Sequence, residues 1–264
     1  MESLLRWQHP RHGLVLPSEF IALAEQAGLL PQIGRRVLLK ACQRAARWQA
    51  RASAPLPVSV NVSVRQVQTG GFVSAVANAL EIADLPPHCL KLEITENVAA
   101  EERKVLDDLA ELRNWGVQVV IDDFGTGYSS FSSLLKNRID CVKIDRSFVA
   151  GIPDDPDSAA IVRAILSLAR SFGVVVVAEG IENGRQLDFL VEHGCTQGQG
   201  FLLHRPAPAS QLDDLVEARR ILSPDAVGSV DVPPASAPRE DRTMGDRGGA
   251  GSAPIEPVER DSIA

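Results

Sequence analysis

Apolar residues recur along this chain in two alternating rhythms. Short runs rich in β-branched residues, SLLRW (3–7), PVSVNVS (57–63), LKLEIT (90–95), VQVVI (117–121), CVKI (141–144), VVVVAE (174–179) and GQGFL (198–202), are separated by longer stretches with helical spacing. The segment 34–48 places Val37, Leu38, Ala41, Cys42, Ala45 and Trp48 on one 3.6-residue face. A second predicted helix presents Ile161, Val162, Ile165, Leu168, Ala169 and Phe172 inward, with Asp157 or Ser158 as its cap and Gly173 as its stop. Asn183 caps a third, and Gly194 follows its end. Strand followed by helix, repeated, demands parallel strands, because the crossover helix returns the chain to the same edge. Continuous Val/Ile runs predict strands buried on both faces. This pattern alone admits either an open doubly wound sheet or a closed barrel.

The polar residues narrow the choice. Glu2 and Arg6 flank the first run, and Asn61 lies near the end of the second. Glu93 and Glu96 end the third, Asp122 and Asp123 follow the fourth, and Lys143 and Asp145 close the fifth. Glu179 ends the sixth, Glu182 follows it, and Gln199 lies in the seventh. In parallel α/β folds the ligand and catalytic groups come from the carboxyl ends of strands. An open sheet would spread so many strand ends along an edge, whereas a barrel gathers them onto one centre, so the expected fold is an α/β, TIM-like (β/α) barrel. Each residue taken singly has a plainer reading. Adjacent aspartates often mark a solvated turn, Glu93 and Glu96 fit a capping pair, and Lys143 fits a strand-end lysine reaching for water. FGTGYSS (124–130) lacks the Gly-Lys-Ser ending of a P-loop. The joint pattern carries the inference.

Composition adds limits. A net charge of −7 argues against binding a nucleic-acid polymer, which needs a basic footprint, but leaves room for a small phosphate ligand held through cations. No apolar run reaches the length of a membrane helix, and no signal peptide is evident, so the reading is a soluble, cytoplasmic chain. Cys42, Cys89, Cys141 and Cys195 form no C-x-x-C pair and read as small buried hydrophobes in a reducing compartment. The five histidines show no metal spacing. From residue 223 to 264 no aromatic residue occurs and Pro, Gly, Ser and Ala dominate, which predicts a disordered tail after a domain over 1–222.

Several carboxylates and an amide oxygen, without clustered His or Cys, make a hard-oxygen set suited to Mg²⁺ or Mn²⁺ rather than zinc. Carboxylates crowded together repel, and bound cations hold them ionised. Two cations sharing a bridging carboxylate are suited to phosphodiester hydrolysis.

In ESLLRW (2–7), SVNVS (59–63), EITE (93–96), DDFGTGYSS (122–130), KIDRSF (143–148), AEGIE (178–182) and QGF (199–201) the chain resembles the EAL-domain cyclic di-GMP phosphodiesterases, in order and spacing, from residue 2 to about 217. The resemblance implies that Glu2, Asn61, Glu93 and Asp122 hold one metal and that Asp122 bridges to a second, held also by Asp123 and Glu179. It implies that Lys143 orients or helps to deprotonate the attacking water, that Arg6 grips a ligand phosphate with Asp145 in the ligand pocket, and that Gln199 and Glu182 support the site. Glu96 would anchor the 124–130 loop, beside which a homodimer contact is expected. The implied reaction opens cyclic di-GMP to linear pGpG, with two Mg²⁺ or Mn²⁺ per site. Ser3 stands where the family's name motif has alanine, which leaves the carboxylate of Glu2 in place. The family also has a strand with a Tyr-Gln-Pro segment before this motif, so the resemblance implies a barrel incomplete at its N-terminus, with two exposed strand edges. A non-catalytic cyclic di-GMP receptor and an inactive truncated product are the alternative readings.

Overall fold

In the computed structural model the β-branched runs lie side by side. The structure describes residues 1–52, 55–96, 103–127 and 139–217. The predicted tail and the end of the 124–130 loop lie outside the described residues. Seven strands form one sheet in the order β1 (Glu2–Ser3), β4 (Val58–Asn61), β5 (Leu90–Thr95), β6 (Gln118–Phe124), β7 (Cys141–Ile144), β8 (Val175–Ala178) and β9 (Gln197–Gly198). Every neighbouring pair is parallel, as the alternation with helices requires. The first apolar run behaves differently from expectation. Only Glu2–Ser3 joins the sheet, and the chain then forms an antiparallel hairpin of β2 (Trp7–His9) and β3 (Gly13–Val15).

Helices α1 (Pro17–Gln26), α2 (Leu30–Gln49), α3 (Val64–Gln68), α4 (Phe72–Ala83), α5 (Arg103–Asn114), α6 (Arg146–Gly151), α7 (Pro156–Phe172), α8 (Gly184–Glu192) and α9 (Ala209–Glu217) connect and follow the strands. Apolar faces of α2 to α8 meet one side of the sheet, and α1 and α9 pack against α2. Val58 and Val60 of β4, Leu90, Leu92 and Ile94 of β5, Val119 and Ile121 of β6, and Val142 and Ile144 of β7 share a core with Leu38, Val76, Leu109, Leu112, Val162 and Leu190 of the helices. Successive strand residues point to opposite faces. The residues between these therefore face the other side, and they include Asn61, Glu93, Asp122 and Lys143.

That inner side is not uniformly apolar, which corrects the expectation for the VVVVA run. Val176 is buried in the helix-facing core, but Val175 is exposed and Val177 only half-buried. The cap of α7 is also displaced from expectation. Asp155, not Asp157 or Ser158, accepts from the Ser158 N–H at 2.9 Å, and Pro156 opens the first turn. Asn183 caps α8 as expected. The four cysteines are free and buried.

The sheet is curled. Laid flat, its end strands would stand six spacings of about 4.8 Å apart, roughly 29 Å. Yet Gln199, one residue past β9, donates from Nε2 to Glu2 Oε2 of β1 at 3.0 Å. β1 and β9 share no backbone ladder, so this side-chain bond joins the two ends of a half-barrel whose inner face is concave.

Candidate active site

The concave face concentrates charge on a lysine. Lys143, on strand β7, is almost wholly buried, and its Nζ lies 3.1 Å from Glu93, 3.1 Å from Asp122, 2.5 Å from Glu179 and 3.6 Å from Glu2. These carboxylates come from β5, β6, the residue after β8, and β1. Two amides complete the ring. Asn61 Nδ2 donates to Glu2 Oε1 at 2.9 Å, and Gln199 Nε2 donates to Glu2 and also to Glu179 Oε1 at 2.7 Å. Side chains carried on, or one residue past, each of the seven sheet strands thus converge, as the barrel reading requires.

Asp122 and Asp123 could not both join this site from a regular strand, because consecutive side chains diverge. The β6–β7 register shifts between Ile121 and Phe124, and Asp123 adopts a left-handed conformation with φ 53°. Such a bulge re-aims a side chain. Its result here is that Asp122, Asp123 and Glu179 each offer a carboxylate oxygen, all within 4.8 Å of one another. Asp145 lies beside Asp123 and caps α6 by accepting from Ser147 N–H at 2.9 Å. Glu96, fully buried, accepts from the Gly125 and Gly127 N–H groups at 3.1 and 3.0 Å, which ties the start of the 124–130 loop to β5.

The cluster's electrostatics follow from burial and crowding. Burial pushes the Glu93 carboxyl up to about 7, with Glu2 and Asp122 adding to the rise and Lys143 opposing it. Burial likewise raises Glu179 to about 7. Asp123 is raised by burial and by its carboxylate neighbours Asp122 and Asp145. Burial also disfavours the Lys143 ammonium, but Glu93, Glu2, Glu179 and Asp122 outweigh it and hold the lysine above its ordinary range. At Glu2 burial is outweighed by Lys143 and the two amide donors, so this carboxyl is lowered. One ammonium faces five carboxylates, an excess of negative charge that hard divalent cations are suited to neutralise. The donor set, carboxylates and the Asn61 amide without thiol or imidazole, fits Mg²⁺ or Mn²⁺.

Not every expected site residue joins the cluster. The Arg6 guanidinium donates to the Leu5 carbonyl at 2.7 Å and makes no contact with the carboxylates. Glu182 is exposed, and its backbone N–H donates to Gln186 Oε1 at 2.8 Å. Two further residues shape this corner and were not foreseen. Buried Gln186 completes a capping box with Asn183 while holding the Glu182 backbone, and the Asn-x-x-Gln spacing was its signal in the sequence. Gly200 lies against the Ile181 backbone so closely that a Cβ would fall 2.2 Å from both its nitrogen and its oxygen. No sequence pattern announces such an approach.

The comparisons with known proteins agree with this geometry. The profile of the EAL domain matches residues 1–206. The bifunctional diguanylate cyclase/cyclic di-GMP phosphodiesterase MucR of Pseudomonas aeruginosa is 45% identical over 213 residues, 80% of this chain and 31% of that protein. The cyclic di-GMP phosphodiesterase PdeR of Escherichia coli is 37% identical over 210 residues, 79% of this chain and 32% of that protein. The chain therefore spans about a third of the length of these relatives. Among solved structures, the PaMucR phosphodiesterase in its c-di-GMP complex is 45% identical with a TM-score of 0.76, covering 80% of this chain and 86% of that one. The EAL enzyme Bd1971, in a form with cAMP and cyclic di-GMP bound, is 34% identical with a TM-score of 0.77, covering 81% and 59%. The shared profile, identity and fold make this chain a member of the EAL-domain family.

Proposed function

We propose that this domain hydrolyses cyclic di-GMP to linear pGpG with the help of two Mg²⁺ or Mn²⁺ ions. The reading is supported above all by one observation, the convergence of five carboxylates, two amides and a buried ammonium at the strand ends of a family whose matched relatives are named phosphodiesterases. Water adds to one ring phosphorus and the P–O3′ bond breaks, leaving a 5′-phosphate on the linear product.

Glu2, Asn61, Glu93 and Asp122 would hold one cation, and Asp122, Asp123 and Glu179 the other. Bound divalent cations supply charge that stabilises a phosphodiester under attack and makes water more acidic. Lys143, whose Nζ lies within 3.6 Å of four of these carboxylates, orients the attacking water or helps to deprotonate it. Gln199 holds Glu2 and Glu179 at a fixed separation, and Asp145 backs Asp123 at the edge of the ligand pocket. Arg6 reaches a ligand phosphate once it leaves the Leu5 carbonyl, Glu182 borders the pocket, and Glu96 keeps the 124–130 loop in place. Among the described residues no helix is long and apolar enough to cross a membrane, and a dinucleotide messenger with four free, buried cysteines fits a cytoplasmic setting. The test is chromatography of the products after chelation and after return of Mg²⁺, Mn²⁺ or Ca²⁺. pGpG formed with the first two and suppressed by Ca²⁺ supports the reading, and undiminished turnover in EDTA removes it.

A further inference from the structure

Helix α2 carries a feature that the site does not use. Its buried face is formed by Leu38, Ala41, Cys42, Ala45 and Trp48. At 3.6 residues per turn, Leu29, Arg36, Lys40 and Arg47 fall within about 20° of one line, on the side opposite that face. All four are exposed, and among the described residues none of the three cations makes an ion pair. The line runs roughly 27 Å, from Leu29 at the N-cap to Arg47 in the last turn.

The helix has no Asp or Glu at all. Arg36 and Lys40, and Lys40 and Arg44, are like charges at i,i+4, an arrangement that weakens a helix. Arg44 is neutralised by Asp213 of α9 at 2.8 Å, but the outward line has no such compensation. The asymmetry extends to the whole segment. Residues 1–52 hold eight of the chain's 27 Lys and Arg but only three of its 34 Asp and Glu. The same segment holds Leu14 and Leu23, which are 61% and 65% exposed, and Leu29, 45% exposed, heads the cationic line.

We propose that this outward line of α2 is a docking surface for an anionic lipid bilayer. A convex helix touches a flat surface along a single line, and here that line is cationic with an apolar residue at one end. A protein partner would need a concave acidic groove to reach the same four side chains. Lysine and arginine are drawn to anionic headgroups, and a flanking leucine adds burial at the acyl boundary. Because the chain as a whole is negative, the same surface repels the rest of the domain, so binding is confined to this face and is strongly salt-dependent.

The test uses the full chain and co-sedimentation with large vesicles of phosphatidylcholine, alone or mixed with phosphatidylglycerol. Binding to the mixed vesicles at low ionic strength, absent from phosphatidylcholine alone and lost at high salt, is the expected result. The combined change Arg36→Gln, Lys40→Gln, Arg47→Gln removes three cations and is expected to weaken binding roughly a hundredfold, at about fivefold per cation. The charge-preserving Arg36→Lys, Arg47→Lys protein keeps it. Because these side chains are exposed and make no ion pair among the described residues, circular dichroism melts of both variants are expected to match the parent. Failure of the parent chain to bind the mixed vesicles at low salt overturns the proposal, as does a glutamine variant that folds and binds as tightly as the parent.

Discussion

Replacing Lys143 by methionine tests the electrostatic core of the site. The substitution keeps most of the side-chain volume and removes one ammonium that lies within 3.6 Å of four carboxylates. Glu93 is 3% exposed and exchanges the ammonium 3.1 Å away for a thioether. Removing one partner of a buried ion pair typically costs about 3–5 kcal/mol. Protonation sets a ceiling on that loss. Holding a carboxyl protonated at pH 8, when its unfolded value is 4.5, costs up to about 5 kcal/mol at 1.36 kcal/mol per pH unit. The two estimates agree, and for a domain of this size they correspond to a drop of about 10 °C in Tm. The assay is a thermal melt of both proteins in EDTA from pH 5 to pH 8. The gap is expected to be widest at pH 8 and to narrow toward pH 5, where the carboxyls take up protons at little cost. A Lys143→Met protein that melts within about 2 °C of the parent at pH 8 in EDTA would refute the claim that this lysine neutralises the cluster.

In chelated parent protein, Glu93 and Glu179 retain protons up to about 7 that the unfolded chain releases near 4.5, so stability is expected to fall as pH rises through that window. Glu2, whose carboxyl is lowered, contributes in the opposite sense and loses its share as pH falls below 4.5, which places the metal-free optimum near pH 5 in denaturant titrations. Glu179→Ala is expected to reduce pGpG formation at least ~100-fold with a metal-free Tm equal to or above the parent's, since the lost carboxylate is one that burial disfavours. A low Tm would mean that Glu179 serves the fold instead. Gly200→Ala sets a methyl against the Ile181 backbone and is expected to destabilise by about 1–3 kcal/mol and to weaken activity through Gln199, whereas Gly184→Ala, which meets open space, leaves both unchanged.

Much of this architecture was legible in the chain because its signals are local. The β-branched runs and the helical faces between them reported a parallel sheet covered by helices, and polar residues at successive strand ends reported a common centre. Period-two alternation in LKLEIT and CVKI already separates Leu90, Leu92, Ile94, Val142 and Ile144 from Glu93 and Lys143, and the core confirms that partition. Short motifs were enough to indicate the family, since the residues that carry the chemistry sit at fixed distances along the chain.

What the tertiary structure decided depends on groups far apart in sequence. The Glu2–Gln199 bond spans 197 positions and shows how far the sheet curls, which no window of sequence reports. The bulge and left-handed Asp123 arise where β6 must match β7, so the shared orientation of two adjacent aspartates is a property of the pairing and not of the dipeptide. The same holds for the valines after Gly173, which read as a fully buried strand until the inner face proved to be polar and partly open. The shift of α7's cap to Asp155 and the hairpin after Ser3 are smaller cases, in which several residues offered similar local energies and the surrounding contacts made the choice. Composition and periodicity determine which residues face oil and which face water; the perturbed carboxyls of Glu93 and Glu179 exist only because folding brings them, with Lys143, out of solvent together.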